Sequence, residues 1–251
     1  MIKKVVIAAA GQGTRMLELS KDKSKHLINV NQKPFLSYLL DNLIDAGYCE
    51  FILVVGFKKE LIEDFSKDYL KNKKNSDIKI QIIDQYEILG PKEKEYGTAC
   101  PVKCVKDIIG NNNFIYVYGD NLFSVEDLMS MNISDEFSYI AGLKQEHPEK
   151  YGVLVSDGDD FLEKIVEKPK EFVGDLINAG LYKFTPEIFE KVFQIEKSSR
   201  GEYEITDAVS LLAKEKKVKI KKINNDWHDF GNPEDIQKLS KFLGNENSKR
   251  K

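Results

Sequence analysis

Residues 2–16 read IKKVVIAAAGQGTRM. The apolar run at 5–8 is typical of a strand that is buried on both faces. Gly11 and Gly13 follow it, and glycines at the carboxyl end of a strand let backbone N–H groups approach an anion. Arg15 adds a charge with donors shaped for phosphate oxygens. The stretch predicts a phosphate-binding turn, with a tight surface loop as the alternative. It matches neither a P-loop nor the dinucleotide fingerprint.

Length and composition favour an ordinary α/β protein. The chain has 251 residues, 41% of them hydrophobic, and a formal net charge of −3. The charge gives no sign of a nucleic-acid partner, so a polyphosphate ligand would need local positive charge. Three cysteines without a CxxC pattern predict reduced thiols. Because the chain starts directly in a strand and has no apolar run of membrane-spanning length, we expect a cytoplasmic protein without a membrane partner.

Strand and helix patterns alternate along the first half of the chain. Strands are predicted at 51–55, 78–83 and 114–118, and helices at 34–46, 58–70, 99–109 and 122–132. From residue 139 short strands dominate, at 139–143, 151–155, 161–166, 178–184 and 218–223. Helices are expected at 186–193, 203–216 and 233–243. We expect an α/β fold with a Rossmann-like mixed, mostly parallel sheet and helices on both faces.

Charged side chains collect at the ends of the predicted strands and in the loops beside them. They are, in chain order, Arg15, Lys25, Asp120, Glu167, Lys168 and Asp229. Cations bind phosphates, and two carboxylates can share a divalent ion such as Mg²⁺ with phosphate oxygens. The combination suits transfer of a nucleotidyl or phosphoryl group. Taken singly, each residue has a plainer alternative as a solvated charge, a turn residue or a helix cap.

A series of short motifs runs in order along residues 2–243. They are AAGQGTRM at 9–16, SKHL at 24–27, QKP at 32–34, Gln85 with GTA at 97–99, GD at 119–120, YG at 151–152, EKP at 167–169, NAG at 178–180, EITD at 204–207 and WHDFG at 227–231. This series resembles the sugar-phosphate nucleotidyltransferases, also called nucleotide-sugar pyrophosphorylases. Glu18 and Ser24 stand where that family usually has prolines, which predicts a more mobile first loop.

The resemblance implies a role for most of these motifs. Nucleotide contacts are implied for Ala9, Ala10, Gly11, Gln12, Gly13, Thr14, Gln85, Gly97 and Thr98. Catalytic roles are implied for Arg15, Lys25 and Asp120, and Asp120 and Asp229 are implied to hold Mg²⁺. Contacts with the sugar phosphate are implied for Gly152, Glu167, Lys168, Asn178 and Gly180.

The resemblance also implies an activity. A nucleoside triphosphate, with UTP or dTTP expected, joins a sugar-1-phosphate, with glucose-1-phosphate expected, and pyrophosphate leaves. The alternatives are a cytidylyl- or guanylyltransferase acting on another sugar-1-phosphate, and a non-catalytic regulatory subunit that binds a nucleotide sugar. A regulatory subunit is expected to lose Arg15, Lys25, Asp120 or Asp229, and all four are present.

The chain shows no internal repeat and no linker long enough to divide it into separate domains. We expect a single domain over 1–243, with a nucleotide-binding part at about 1–137, a sugar-phosphate-binding part at about 138–243 and a frayed tail at 244–251. No second, acetyltransferase activity is expected. Assembly into a homo-oligomer is left open.

Overall fold

The computed structural model describes residues 1–11, 13–73 and 77–249, with the backbone alone for residues 14, 17 and 245–249. The strands, in chain order, are β1 (Lys4–Ala9), β2 (Asn29–Val30), β3 (Lys33–Pro34), β4 (Glu50–Val55), β5 (Lys79–Asp84), β6 (Phe114–Tyr118), β7 (Asn121–Phe123), β8 (Ser138–Lys144), β9 (Gly152–Ser156), β10 (Leu162–Glu167), β11 (Leu176–Phe184), β12 (Val218–Ile223) and β13 (Trp227–Asp229). The helices are α1 (Phe35–Asp45), α2 (Lys59–Lys71), α3 (Gln85–Leu89), α4 (Cys100–Cys104), α5 (Lys106–Ile109), α6 (Val125–Ser130), α7 (Ile188–Val192), α8 (Ile205–Lys214) and α9 (Pro233–Lys249).

One mixed sheet runs through the molecule in the order β10-β9-β11-β6-β1-β4-β5, and β8 and β12 continue from β11. Strands β5, β4, β1 and β6 are parallel neighbours. Strand β11 is antiparallel to β6, β8 and β9, while β8 and β12 are parallel to each other. The expected mixed α/β sheet is therefore confirmed, and it is continuous through both predicted parts of the chain.

Alternate residues of β1 belong to two separate apolar cores. Val5 and Ile7 pack in a core that includes side chains of α1, α2, α6 and α9. Val6 packs in a second core with side chains of α4, α5, α7 and α8. Since successive side chains of a strand point to opposite faces, the two cores place helices on both sides of the sheet. In the described ranges, no helix has the length and apolar character needed to cross a bilayer.

The carboxyl ends of β1 and β6 lie side by side. Ala8 is in register with Tyr118, and the Gly119 N–H donates to the Ala8 carbonyl at 2.9 Å. A Cβ on Gly119 would lie 2.7 Å from that carbonyl oxygen, so a side chain there would force the strands apart. The glycine turn after β1 and Asp120 after β6 consequently open onto the same edge of the sheet.

Two local predictions were wrong because distant segments pair. Residues 121–123, expected largely within a helix, form β7, and residues 227–229, expected in a loop, form β13. The two strands are antiparallel, with Asn121 opposite Asp229. The paired residues lie more than a hundred positions apart in the sequence, so no local pattern predicts the pairing. This pairing places Asp229 opposite Asn121, the residue that follows Asp120.

Other element ends also differ from the prediction. The helix expected at 99–109 is divided at Val105 into α4 and α5. The polar stretch 17–29 contains 3-10 helices at Thr14–Ser20 and Lys25–Leu27, and α3 was not expected. The last helix continues to Lys249 instead of ending near 243.

Candidate active site

A cavity of about 290 Å³ opens at the carboxyl ends of β1 and β6. Of the residues predicted to act on a nucleotide, it brings together Ala10, Gly11, Arg15, Lys25, Gln85, Gly97, Thr98 and Asp120. Ala9 does not line it, because its side chain is buried in the core on the other face of β1. Ala8, which sequence reasoning passed over, lines the cavity instead. We call this space the nucleotide cavity.

The glycine turn after β1 holds Lys25 in place. Gly13 has a φ of 65°, a left-handed conformation that favours glycine, and its carbonyl accepts from the Ser20 hydroxyl at 2.8 Å. A Cβ on Gly13 would lie 3.0 Å from the Lys25 Cβ. The 3-10 helix that begins at Thr14 leads away from this turn. Gln12, predicted to contact nucleotide, lies outside the described residues.

Lys25 and Asp120 form an ion pair beneath the turn. The ammonium donates to Oδ2 of Asp120, and only 11% of the lysine side chain and 19% of the aspartate side chain are exposed. Burial raises the pKa of the Asp120 carboxyl, but the charge of Lys25 and its hydrogen bond outweigh that effect and hold the pKa below its ordinary value. Asp120 is thus ionised at neutral pH.

Asp229 is the second carboxylate at this edge. The Phe230 N–H donates to the Asp120 carbonyl at 2.8 Å, which fixes the Asp229 loop against the end of β6. Burial raises the pKa of Asp229 to about 6; the charge of Asp120 adds to the rise, and Arg15 opposes it. A Cβ on Gly231 would lie 3.2 Å from the Asp229 carboxylate and 3.3 Å from the Arg15 guanidinium. Arg15 and Asp229 therefore flank the same glycine.

The two carboxylates fit a divalent cation that takes its remaining ligands from substrate or water. After burial, the charge of Asp120 is the second cause of the raised pKa of Asp229, so the two carboxylates repel each other when both are charged, and a cation between them would relieve that repulsion. Among the described residues, no group of three or more His, Cys, Asp or Glu side chains could hold a metal by itself. Such a site would be completed by phosphate oxygens.

Gln85 lies at the start of α3 with 1% of its surface exposed. Within the described part of the chain, neither the oxygen nor the nitrogen of its amide has a hydrogen-bond partner. A buried polar group left unpaired costs roughly 1–3 kcal/mol, so this amide, which lines the nucleotide cavity, is available to a ligand there. An amide offers one acceptor and two donors, which suits the edge of a nucleobase.

A second cavity of about 270 Å³ lies beside the first and contains Glu167 and Lys168. Both residues are exposed at the end of β10. Lys168 has a φ of 42°, and its N–H donates to the Tyr151 carbonyl at 3.0 Å. A Cβ on Gly152 would lie 3.0 Å from a Glu167 carboxylate oxygen, so Gly152 leaves room for that side chain. We call this space the second cavity.

Asn178 and Gly180, also predicted for the sugar phosphate, do not line the second cavity. The Asn178 amide donates to the Tyr182 hydroxyl at 2.7 Å, and its oxygen accepts from the Gly180 N–H at 3.0 Å. Gly180 has a φ of 78°, and a Cβ there would lie 2.5 Å from the Tyr118 ring. The Tyr182 hydroxyl lies 3.2 Å from that of Tyr118, which lines the nucleotide cavity. Asn178 and Gly180 therefore belong to the wall between β6 and β11.

Sequence reasoning missed several residues that the fold brings to the two cavities. Arg200 lines the second cavity, and its guanidinium donates to the buried Glu204 carboxylate at 2.8 Å. The EITD motif contained Glu204, but no role followed from it. His26 lies at the nucleotide cavity, 1% exposed, and burial lowers its pKa to about 3, so it is neutral.

Comparison with known proteins identifies the family. The model of the nucleotidyl transferases matches residues 4–246. The chain belongs to the nucleotidyl transferase family. The bifunctional protein GlmU of Methanocaldococcus jannaschii is 35% identical over 242 residues, which are 95% of this chain and 53% of that protein. AglF of Haloferax volcanii, a UTP–glucose-1-phosphate uridylyltransferase, is 32% identical over 248 residues, 96% of each chain. This nucleotidyl transferase spans about half the length of the bifunctional relatives and nearly all of AglF.

Solved structures share the fold of this nucleotidyl transferase. A UDP-glucose pyrophosphorylase complexed with UDP-glucose superimposes with a TM-score of 0.82 at 25% identity, covering 98% of this chain and 100% of that one. A UTP-bound UGPase from Acinetobacter baumannii superimposes with a TM-score of 0.81 at 22% identity, covering 98% and 94%. The mixed α/β fold predicted from the alternation of strands and helices is confirmed.

Proposed function

We propose that this nucleotidyl transferase joins a nucleoside triphosphate to a sugar-1-phosphate and releases pyrophosphate. The observation that carries the proposal is the meeting of Arg15, Lys25 and two carboxylates at one end of the nucleotide cavity, beside a second cavity that contains cations. Triphosphate chemistry needs this charge pattern, and the family membership agrees with it. The uridylyltransferase activity named for AglF supports the same reaction.

The chemistry is an in-line displacement that needs no general base. A sugar phosphate is ionised at neutral pH, so its oxygen forms a bond to the α-phosphorus while the bond to the bridging oxygen of pyrophosphate breaks. Negative charge grows on the leaving group, where the charges of Arg15 and Lys25 stabilise it. Lys25 enters this role already oriented by Asp120, which limits the reorganisation needed at the transition state.

Asp120 and Asp229 would hold the metal, and we propose Mg²⁺ as its identity. When bound, Mg²⁺ would neutralise phosphate charge and hold substrate oxygens in place. The Phe230–Asp120 backbone bond and the β7–β13 ribbon fix both carboxylates before any ligand arrives. Without a metal the pKa of Asp229 is about 6, so a metal ion that binds at lower pH would displace a proton from this carboxyl.

UTP or dTTP is the proposed nucleotide, and the unpaired amide of Gln85 supports it. Uracil and thymine present a carbonyl acceptor next to an N–H donor, and one amide can satisfy both. The backbone of the glycine turn at Ala10, Gly11 and Gly13, and the Gly97–Thr98 segment, complete the proposed nucleotide contacts. The names of the UDP-glucose pyrophosphorylase and AglF agree with UTP.

Glucose-1-phosphate is the proposed acceptor, by analogy with the substrate named for AglF. Lys168 pairs with its phosphate, Glu167 accepts from sugar hydroxyls, and Arg200 adds a second cation in the same cavity. Gly152 leaves room for the Glu167 side chain, whereas Asn178 and Gly180 shape the wall between β6 and β11. A cytoplasmic location stays a prediction from the sequence, and assembly into a homo-oligomer stays open.

The test is pyrophosphate release from each of five nucleotides (UTP, dTTP, CTP, GTP and ATP) with a panel of sugar-1-phosphates. We expect UTP or dTTP with glucose-1-phosphate to give the largest kcat/KM, and chelation of Mg²⁺ to abolish release. A preference for CTP or GTP would contradict the proposed contact of the Gln85 amide with uracil or thymine. Tight binding of nucleotide sugar without any turnover would instead identify a regulatory subunit.

A further inference from the structure

The carboxylate of Glu204 touches residues of both cavities. It precedes α8 and is 7% exposed. One oxygen, Oε2, accepts from the Thr98 hydroxyl at 3.3 Å, and Thr98 lines the nucleotide cavity. The other oxygen, Oε1, accepts from the Arg200 guanidinium at 2.8 Å and from the Ser198 hydroxyl at 3.2 Å. Arg200 and Ser198 both line the second cavity.

The Thr98 hydroxyl cannot move independently of this carboxylate. Its oxygen also accepts from the Ile205 N–H at 2.9 Å, one residue after Glu204. The flanking backbone is paired as well: the Ala99 N–H donates to the Tyr203 carbonyl at 2.9 Å, and the Tyr203 N–H donates to the Tyr96 carbonyl at 2.8 Å. The two segments therefore form one unit.

Gly97 makes this close approach between the segments feasible. It has a φ of 127°, and a Cβ there would lie 2.4 Å from the Tyr203 carbonyl oxygen. Any side chain at this position would separate residues 96–99 from residues 203–205. The glycine of the GTA motif thus serves the contact between the two cavities as well as the lining of the first.

Arg200 depends on Glu204 for its orientation. The arginine side chain is 57% exposed, whereas the Glu204 side chain is 9% exposed. A long exposed side chain samples many rotamers, and ordering it costs conformational entropy. A buried carboxylate with bonds from two hydroxyls is a fixed anchor for that guanidinium, and hydrogen bonds to charged groups are among the stronger ones.

We propose that Glu204 is a positioning residue that sets the Arg200 guanidinium toward the phosphate of the sugar substrate and is itself held by the Thr98 hydroxyl. The proposal rests on the proposed function, since it takes the second cavity as the sugar-phosphate site. Its consequence crosses between the cavities: loss of a hydroxyl in the nucleotide cavity weakens binding in the other one.

The first experiment compares Glu204→Gln with wild type in steady-state kinetics with UTP and glucose-1-phosphate. Glutamine keeps the size but loses the charge that orients Arg200. We expect the KM for glucose-1-phosphate to rise about tenfold and that for UTP about threefold or less. Glu196→Gln, an exposed glutamate of the segment leading to this loop, is the matched control and is expected to match wild type. Equal rises in both KM values would overturn the positioning role.

The second experiment uses Thr98→Val and Thr98→Ser to test whether loss of a hydroxyl in the nucleotide cavity weakens binding in the second cavity. Valine is similar in shape to threonine but lacks the hydroxyl, so we expect it to raise the KM for glucose-1-phosphate about threefold or more. Serine retains the hydroxyl and is expected to restore that KM. In the Glu204→Gln background, Thr98→Val should add nothing further to it, because the anchor is already lost. Additive effects on this KM, or an effect of valine on UTP alone, would contradict the proposal.

Calorimetric binding of glucose-1-phosphate to wild type and to Thr98→Val separates this inference from the proposed reaction. A weaker affinity in the valine variant supports the inference without any turnover. Equal affinities overturn it even if wild type releases pyrophosphate. A weaker affinity in a protein that releases no pyrophosphate would remove the proposed reaction and keep the role of Glu204. Because these variants leave Glu204 unchanged, the result does not depend on the folding of Glu204→Gln.

Discussion

The two lysines assigned to the site, Lys25 and Lys168, lie in contrasting surroundings. Lys25 is buried at the end of a parallel sheet and paired with Asp120. Lys168 is exposed at the end of an antiparallel strand, in a left-handed backbone conformation. In the nucleotide region Lys25 is held by Asp120 before a ligand arrives, whereas Lys168 of the second region is presented to solvent. We expect the first region to govern turnover and the second to govern substrate affinity.

The largest effect is expected for Asp120→Asn. This change removes a charge from the proposed metal site and from the partner of Lys25, so kcat should fall at least about a hundredfold with the fold intact. Pyrophosphate release at saturating substrates measures it, with Asp107→Asn, an exposed aspartate of α5, as the control. Near wild-type turnover in Asp120→Asn would end the claim that the nucleotide region governs turnover.

Lys168→Ala should weaken the affinity for glucose-1-phosphate. Removing one exposed cation should raise the KM for glucose-1-phosphate about thirtyfold and leave the KM for UTP within about twofold. Bisubstrate kinetics measure both constants, and Lys170→Ala is the matched control two residues away. If kcat fell as strongly as in Asp120→Asn, the contrast between the two lysines would be wrong.

Gln85→Met should separate binding from stability within the nucleotide region. Methionine has a similar shape but no polar atoms, so the KM for UTP should rise about tenfold while the ligand-free protein gains roughly 1 kcal/mol or more. Kinetics and urea denaturation report the two effects, and Gln81→Met, an exposed position on β5, is the control. A loss of stability would mean that the Gln85 amide serves the fold rather than a ligand.

The last comparison concerns pH and stability without metal. The folded-state pKa of Asp229, about 6, lies above its ordinary value of 3.8, so its contribution to stability is present below pH 4 and is lost as pH rises through 6. At pH 7 in a chelator, Asp229→Asn should therefore be more stable than wild type by at most about 3 kcal/mol. The difference should vanish near pH 4.

Glu167→Gln is the matched comparison for that measurement. Glu167 is exposed in the second region, so its substitution should leave the free energy of unfolding within about 0.5 kcal/mol at both pH values. Urea denaturation of wild type and both variants at pH 4 and pH 7 gives the four differences from wild type. If Glu167→Gln gained as much stability as Asp229→Asn, the expected difference between a buried carboxylate of the first region and an exposed one of the second would be wrong.

The parallel half of the fold was predictable from local patterns. Strands β1, β4, β5 and β6 are short apolar runs ended by turn residues, and each lies where its pattern placed it. Charged residues after such strands meet at one edge because parallel strands share a direction. Arg15, Lys25 and Asp120 could thus be placed together from the sequence.

The rest depended on contacts between distant residues. The β7–β13 ribbon joins segments whose own patterns predicted a helix and a loop, and its formation decides where Asp229 lies. Burial of Gln85 and the assignment of Ala8 rather than Ala9 to the cavity follow from packing that no motif records. Arg200 lines the second cavity and donates there to the buried Glu204 carboxylate, a contact that no motif indicated.

By itself, the sequence determined the residue chemistry at the strand ends and the order of the motifs, and so the family and the α/β fold. Those features are local: an apolar run, a glycine that permits a close approach, a charge after a strand. Only the tertiary structure decided how Asp229 reaches Asp120, that the Glu204 carboxylate meets the Thr98 hydroxyl, and how far burial raises the pKa of Asp229. These properties depend on distances between groups more than a hundred residues apart and on the water excluded around them, and both exist only once the chain has folded.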